Sequence, residues 1–220
     1  MVDIHCHILP NVDDGAANID ISKELIKKEV DEGNKYIVLT PHQSKRELCK
    51  DLLIEKFNEF KDNIDIDCNL YLGCELYYYE KFIRDLEDGL ILTMNNSKYL
   101  LIEFSTTLEI NISDIVYDLS IKGYKPIVAH IERYDYLTFD DYNEIARYAE
   151  IQINSEAFTM SCYKKKLKYL LKNNLVTYIA SDCHNMTSRP CDFSYAKKVI
   201  LKKYKDQYDK LFNTIPEFLK

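Results

Sequence analysis

Long apolar runs are missing from this 220-residue chain. Its longest, such as LLIEF and YIVL, fall far short of the about 20 consecutive apolar residues that a membrane-spanning helix needs. No signal-peptide pattern precedes the strand-like VDIH near its start, so a cytoplasmic location is expected. A CxxC pair is missing as well. The seven cysteines are odd in number and scattered, which points to reduced thiols and away from a disulfide framework. There is no basic balance either: a net charge of −7 and a pI near 5.3 lower the expectation of a nucleic-acid partner without excluding a local patch. Glycine is scarce, at five residues. No linker, sequence repeat or low-complexity tract interrupts the chain, so residues 1–220 read as one domain with a full-sized core.

What is present is a regular beat of short apolar runs and amphipathic stretches. The runs Val2–His5, Tyr36–Thr40, Asn69–Glu75, Tyr99–Phe104, Pro126–His130, Ile151–Asn154 and Val176–Ser181 are rich in β-branched and aromatic residues and predict strands. Helices are predicted over Ile21–Glu32, Glu47–Phe60, Ile112–Lys122, Tyr142–Ala149, Tyr163–Lys172 and Tyr195–Lys203, followed by a polar, tyrosine-rich tail. Near-continuous apolar strands are those buried on both faces, as in parallel sheets covered by helices. Seven such units suggest a closed or nearly closed α/β barrel, with an open doubly wound sheet as the alternative.

All five histidines, His5, His7, His42, His130 and His184, fall at or just beyond the C-terminal ends of predicted strands. In a βα barrel those ends converge on one face, where active sites sit. A lone histidine is most often structural; five of five at one kind of position are not explained that way. Strand alternation points His5 and His7 to one side and Cys6 to the other, and it separates Asp182 and His184 from Cys183 in the same manner. Glu75 ends NLYLGCE, and Glu103 sits inside the apolar LLIEF, where a carboxylate is costly unless paired or bound to a cation. Asp13-Asp14-Gly15 by itself reads as a turn. Imidazole and carboxylate ligands together suit Zn²⁺, Mn²⁺ or Fe²⁺. Nine candidates (the histidines with Asp14, Glu75, Glu103 and Asp182) are too many for one ion, and clusters of two or three favour hydrolysis at phosphorus.

In this order, DIHCHILPNVDDG, TPHQ, LGCELYY, YLLIEF, PIVAHIERYD and ASDCHNMTSRP resemble the PHP (polymerase and histidinol phosphatase) superfamily, and within it the bacterial capsule and exopolysaccharide tyrosine-phosphatase branch. The likeness runs from residue 2 to about 190. TPHQ and HIER depart from the SHH or SHR and HPER of some members, but no ligand position is lost. The resemblance implies a distorted (β/α)7 barrel holding three divalent metal ions, usually manganese, with iron or zinc as alternatives. It assigns His5, His7, Glu75 and Asp182 to one ion, lets Glu75 bridge to a second with Glu103 and His130, and gives Asp14, His42 and His184 to the third. Arg133 and Arg189 match arginines near the substrate phosphate.

The implied activity is hydrolysis of phosphotyrosine on the tail of a bacterial tyrosine autokinase that regulates capsule or exopolysaccharide synthesis. A small-molecule phosphatase such as histidinol-phosphate phosphatase is the nearest rival. A nuclease fits the acidic pI poorly, and a non-catalytic binding module has no need of buried carboxylates. An amidohydrolase would normally place a lysine where Glu103 stands. The thiolate phosphate loop of cysteine-dependent phosphatases must also be weighed, because Cys183 and Arg189 have its spacing. That loop cradles phosphate with successive backbone N–H groups, which glycine helps to bring close. The intervening HNMTS has no glycine, and Pro190 follows the arginine where a helix should supply donors. Cys183→Ser is therefore expected to keep phosphotyrosyl-peptide turnover that Asp182→Asn loses, compared at matched folding and metal load. A trapped phosphocysteine would reverse this reading in favour of covalent catalysis.

Overall fold

The apolar runs become strands because each is covered on both faces, and every strand pair is parallel. The computed structural model describes residues 1–43 and 50–220. Its strands are β1 (Val2–Cys6), β2 (Tyr36–Leu39), β3 (His42–Gln43), β4 (Asn69–Leu72), β5 (Glu75–Tyr77), β6 (Tyr99–Glu103), β7 (Lys125–Val128), β8 (Glu150–Asn154) and β9 (Tyr178–Ala180). One expected strand, Asn69–Glu75, is broken in mid-course, and another, Tyr36–Thr40, is followed after a break by a short strand that was not expected. Pro41, which has no N–H, separates β2 from β3. Gly73 and Cys74 separate β4 from β5, and a Cβ on Gly73 would lie 2.6 Å from the sulfur of buried Met94. Pairing continues across both breaks through Gly73 N to Leu39 O (2.8 Å) and Glu75 N to Pro41 O (3.1 Å).

The order is therefore β1, β2–β3, β4–β5, β6, β7, β8, β9, seven strand lines in sequence. The last returns to the first: Asp182 N donates to His5 O and His7 N to Cys183 O, each at 2.8 Å, with a parallel bridge between Cys6 and Cys183. This is the distorted (β/α)7 barrel. Its helices are α1 (Ile19–Asp31), α2 (Lys50–Asp62), α3 (Phe82–Glu87), α4 (Ile112–Ile121), α5 (Phe139–Ile145), α6 (Lys164–Lys172) and α7 (Ser194–Lys203). The short α3 was not expected. Residues 47–49 of the expected second helix lie outside the described residues. Helix α5 starts earlier than its hydrophobic pattern suggested, because Thr138 and Asp141 form a capping box.

Two apolar clusters fill the fold. The larger lies between strands and helices. The smaller occupies the inside of the barrel and includes Val2, Ile4, Val38, Leu101, Ile127, Ala129 and Ala180. On β1, Ile4 belongs to the inner cluster and Cys6 to the outer one, although simple alternation would put them on one face. The register of β1 against β2 slips between Asp3 and Cys6, and that irregularity re-aims the strand end.

The expectation of a polar C-terminal tail is corrected. Leu211, Phe212, Phe218 and Leu219 are buried, and the last two belong to the inner cluster. The Phe218 ring packs 5.0 Å from that of Tyr99, and Asn95 Nδ2 donates to Phe218 O at 2.7 Å. Tyrosines and charges mask in sequence an apolar pair that closes the barrel end opposite the histidines. Phe218→Ala should lower stability by about 3 kcal/mol, the usual cost of a buried aromatic truncation, in urea unfolding followed by circular dichroism.

Candidate metal centre

Carbonyl-end positions of six of the seven strand lines, with Asp14 from the loop after β1, place the predicted donors around one point. Glu75 opens β5 after the break at Gly73-Cys74, and its carboxylate is 1% exposed. Oε2 of Glu75 lies 3.3 Å from His5 Nε2, 3.2 Å from His7 Nε2 and 3.1 Å from His42 Nδ1, and Oε1 lies 2.8 Å from His130 Nε2. Asp182 brings Oδ1 to 3.5 Å from both His5 Nε2 and His7 Nε2. Asp14, mostly exposed, reaches across to His42 Nε2 (3.5 Å) and His184 Nε2 (3.4 Å). Glu103 Oε1 lies 3.6 Å from His130 Nε2.

Three donor groups result, each with atoms within 4.8 Å of one another: His5, His7, Glu75 and Asp182; His7, Asp14, His42 and His184; and His42, Glu75 and Glu103. The first coincides with the set assigned to one ion from the sequence. The second adds His7 to its expected three residues. In the third, His42 stands beside Glu75 and Glu103, while His130 approaches both carboxylates from the other side. His42 is the first residue of β3, and its neighbours Lys45 and Arg46 lie outside the described residues.

The imidazoles are oriented by acceptors that the sequence reading did not assign. His7 Nδ1 bonds Asp13 Oδ2 at 2.7 Å, His5 Nδ1 meets Gln152 Oε1 at 3.2 Å, and His184 Nδ1 meets Asp182 O at 2.9 Å. Each acceptor can hold an Nδ1 proton, so that Nε2 is the nitrogen facing the carboxylates and the one a cation would take in place of a proton, the arrangement that metal-binding histidines use. Asp13, read from sequence as part of a turn, also accepts from His42 N (3.0 Å) and Gly15 N (3.0 Å). A Cβ on Gly15 would lie 2.1 Å from His7 O, so only glycine lets this loop close on His7. Gln152 and Asn154 come from β8, the strand line on which no donor was expected. Gln152 Oε1 accepts from His130 N at 2.7 Å, and its amide donates to Asn154 Oδ1, whose own amide donates to Asp182 Oδ2, both at 2.8 Å. The signal was two polar side chains, two residues apart, inside the apolar EIQIN.

These bonds also hold a tense backbone. His130 (φ 29°) and Asp182 (φ 52°) both occupy the left-handed region, which costs an L-residue about 1–2 kcal/mol. Burial pushes the Glu75 carboxyl up, but the charge of His5 and bonds from His130, His5 and His7 outweigh it and keep Glu75 ionised well below its usual range. For Glu103, burial and the neighbouring Glu75 charge win, raising it to about 7. Burial and the His7 charge lower His184 to about 4, favouring the neutral ring that a metal requires. Asp182 Oδ1 and His184 Nε2 are buried without hydrogen-bond partners among the described residues. Such orphaned atoms, aimed into an all-nitrogen-and-oxygen donor set with excess carboxylate, fit divalent cations.

Two arginines border the cluster. Arg189 Nη2 lies 2.7 Å from Asp182 Oδ2, and Arg133 Nη1 lies 3.6 Å from the same oxygen. Both side chains, about a third exposed, line a cavity of about 280 Å³ with Asn154, Met160 and Tyr163. The thiols stand elsewhere. Cys183 is buried with Sγ 3.4 Å from Glu29 Oε1, and Cys6 Sγ points at Val38 O, so neither faces the cavity.

Residues 1–218 match the family model for capsular polysaccharide synthesis, CpsB/CapC. The tyrosine-protein phosphatase CpsB of Streptococcus agalactiae is 34% identical over 236 aligned positions, covering 96% of this chain and 95% of that protein. The tyrosine-protein phosphatase YwqE of Bacillus subtilis is 32% identical, with 93% and 85% covered. A solved structure from work on YwqE of B. subtilis and CpsB of Streptococcus pneumoniae, described as metal-dependent tyrosine phosphatases, superposes with a TM-score of 0.84 at 30% identity, covering 93% of this chain and 87% of the other. A histidinol phosphate phosphatase from Lactococcus lactis shares the fold at a TM-score of 0.66 and 12% identity, over 96% and 95% of the two chains. With the family model and relatives above 30% identity spanning nearly its whole length, this chain belongs to the CpsB/CapC capsular polysaccharide synthesis family.

Proposed function

We propose that this chain is a metal-dependent protein-tyrosine phosphatase, a phosphoric monoester hydrolase acting as one cytoplasmic domain over residues 1–220. Its substrate in this reading is phosphotyrosine on the tail of a bacterial tyrosine autokinase that regulates capsule or exopolysaccharide synthesis. The observation that carries the proposal is the trio His5, His7 and His184, each with Nδ1 bound to a fixed oxygen and Nε2 turned toward shared carboxylates, beside two arginines at the mouth.

His5, His7, Glu75 and Asp182 would hold one divalent ion, Glu75, Glu103 and His130 a second, and Asp14, His42 and His184 a third. Manganese suits these donors, and iron or zinc is chemically compatible. When bound, such ions supply Lewis acidity, lowering the pKa of an attacking water and neutralising phosphoryl oxygens. Arg133 and Arg189 grip the phosphate through paired guanidinium N–H groups and offset the charge that grows as the P–O bond breaks. The leaving phenolate has a pKa of about 10, well below that of an alkoxide, so it departs with less proton assistance. Asn154 joins the arginines in fixing Asp182 Oδ2, and Asp13 keeps His7 in the tautomer that can ligate.

Chelation should abolish turnover of a phosphotyrosyl peptide, and Mn²⁺ should restore it best. Full turnover with metal shown absent would refute the metal reading. Greater activity on histidinol phosphate than on the peptide would favour the small-molecule reading instead.

Asp13→Asn should weaken Mn²⁺ binding about 10- to 100-fold in titration calorimetry while the fold persists, since it loosens His7 without deleting a donor. Arg133→Ala and Arg189→Ala should each lower kcat on the order of 10²-fold with metal content unchanged. A variant that loses metal but keeps its turnover per bound ion would mark that arginine as structural.

A further inference from the structure

A concavity beside the proposed phosphate site is distinct from the site itself. It is a groove of about 630 Å³ between α6, α7 and the turn at residues 156–163. Its floor is apolar, from Phe158, Leu167, Leu171 and Val199, and Lys164, Lys168, Lys172 and Lys203 stand among its lining residues. All four lysines are exposed. On the same helices Lys166 and Lys197 are tied to Asp135 and Glu32, at 2.7 and 3.4 Å, whereas these four have no carboxylate partner among the described residues.

The charge is local. Residues 161–205 carry eleven lysines and arginines against two acidic residues, Asp182 and Asp192, in a chain whose net charge is −7. An acidic protein that gathers unpaired cations around one groove has a surface complementary to an anionic partner. Met160 joins the two features. It is 40% exposed and lines both this groove and the smaller cavity that Arg133 and Arg189 border. A chain leaving the phosphate site past Met160 enters the groove directly. Tyr195, 46% exposed on α7, offers it a large apolar contact.

We infer that this groove docks an acidic polypeptide segment flanking the phosphotyrosine, with carboxylates against the lysine rim and side-chain carbon on the apolar floor. The inference rests on the phosphatase reading above and adds selection of the protein substrate to it. A concave channel continuous with the reaction site suits an extended peptide better than a lipid surface, which would need a flat or convex lysine face.

The test uses the metal-loaded full chain and three phosphotyrosyl peptides of equal length with acidic, neutral or basic flanks, with p-nitrophenyl phosphate as a flank-free substrate. The acidic peptide should have the highest kcat/KM through a lower KM, and added salt should shrink the advantage. Lys164→Glu/Lys168→Glu/Lys203→Glu should raise KM for the acidic peptide about tenfold, the sum of several exposed ion pairs, and leave p-nitrophenyl phosphate turnover unchanged. Tyr195→Ala should raise the same KM several-fold. Fluorescence anisotropy of an acidic, unphosphorylated peptide supplies a readout independent of catalysis. If p-nitrophenyl phosphate is not hydrolysed, the phosphatase reading fails while this binding measurement still decides the groove. Equal KM for all flanks together with equal peptide binding by wild type and triple variant would overturn the inference. So would a lysine-dependent effect confined to anionic phosphatidylglycerol vesicles, or to self-association in sedimentation.

Discussion

A single carboxylate, Glu75, buried in contact with four imidazoles, is the interaction on which the rest of the structure depends. An ionised carboxylate deep in a protein costs several kcal/mol unless opposite charge surrounds it. The histidines around Glu75 supply that charge in part, and divalent ions would supply it fully. This requirement explains why strand ends from β1 to the segment after β9 must meet. It also accounts for the break that sets Glu75 beyond Gly73 and Cys74, at the mouth of the barrel and clear of the apolar interior.

Around that centre the protein separates stability from chemistry. The inner cluster, closed by Phe218 and Leu219, fills the lower barrel with small branched side chains. The upper end is almost wholly polar, and its order comes from hydrogen bonds to groups outside the three donor sets. Asp13, Gln152 and Asn154 fix rings and carboxylates, and their bonds keep His130 and Asp182 in left-handed backbone that would otherwise relax. Such preorganisation lowers the reorganisation needed when cations or phosphate arrive.

The arginines and the lysine-lined groove extend this division outward. Arg133 and Arg189 share Asp182 Oδ2, so one carboxylate links the donor cluster to the edge of the cavity that the arginines line. Beyond Met160 the surface changes from paired to unpaired cations. The polar centre is suited to the phosphoryl group common to all phosphotyrosine. Discrimination among proteins has to come from surfaces outside it, where charge acts through solvent and over longer reach.

Much of this was legible in one dimension. Period-two alternation places His5 with His7 and turns Cys6 away, because side-chain direction along a strand is a local property, whereas Asp182 and His184 meet at the site beyond β9, where the left-handed Asp182 departs from alternation. Seven apolar runs separated by amphipathic stretches likewise imply parallel strands under helices. Three things were not legible. Asp13 looked like any turn residue until the Gly15 loop closed on His7. Gln152 lies 147 positions from the His5 ring it orients, a pairing that only the β8 register makes. The C-terminal residues looked like a polar tail because Leu211, Phe212, Phe218 and Leu219, set among tyrosines and charges, carry no periodic signal. Local chemistry along the chain determined which atoms are donors and which way they point. Tertiary structure decided which donors come within reach of one another and what steadies them, because those choices depend on long-range register, a slip in β1 and backbone strain that no local pattern encodes.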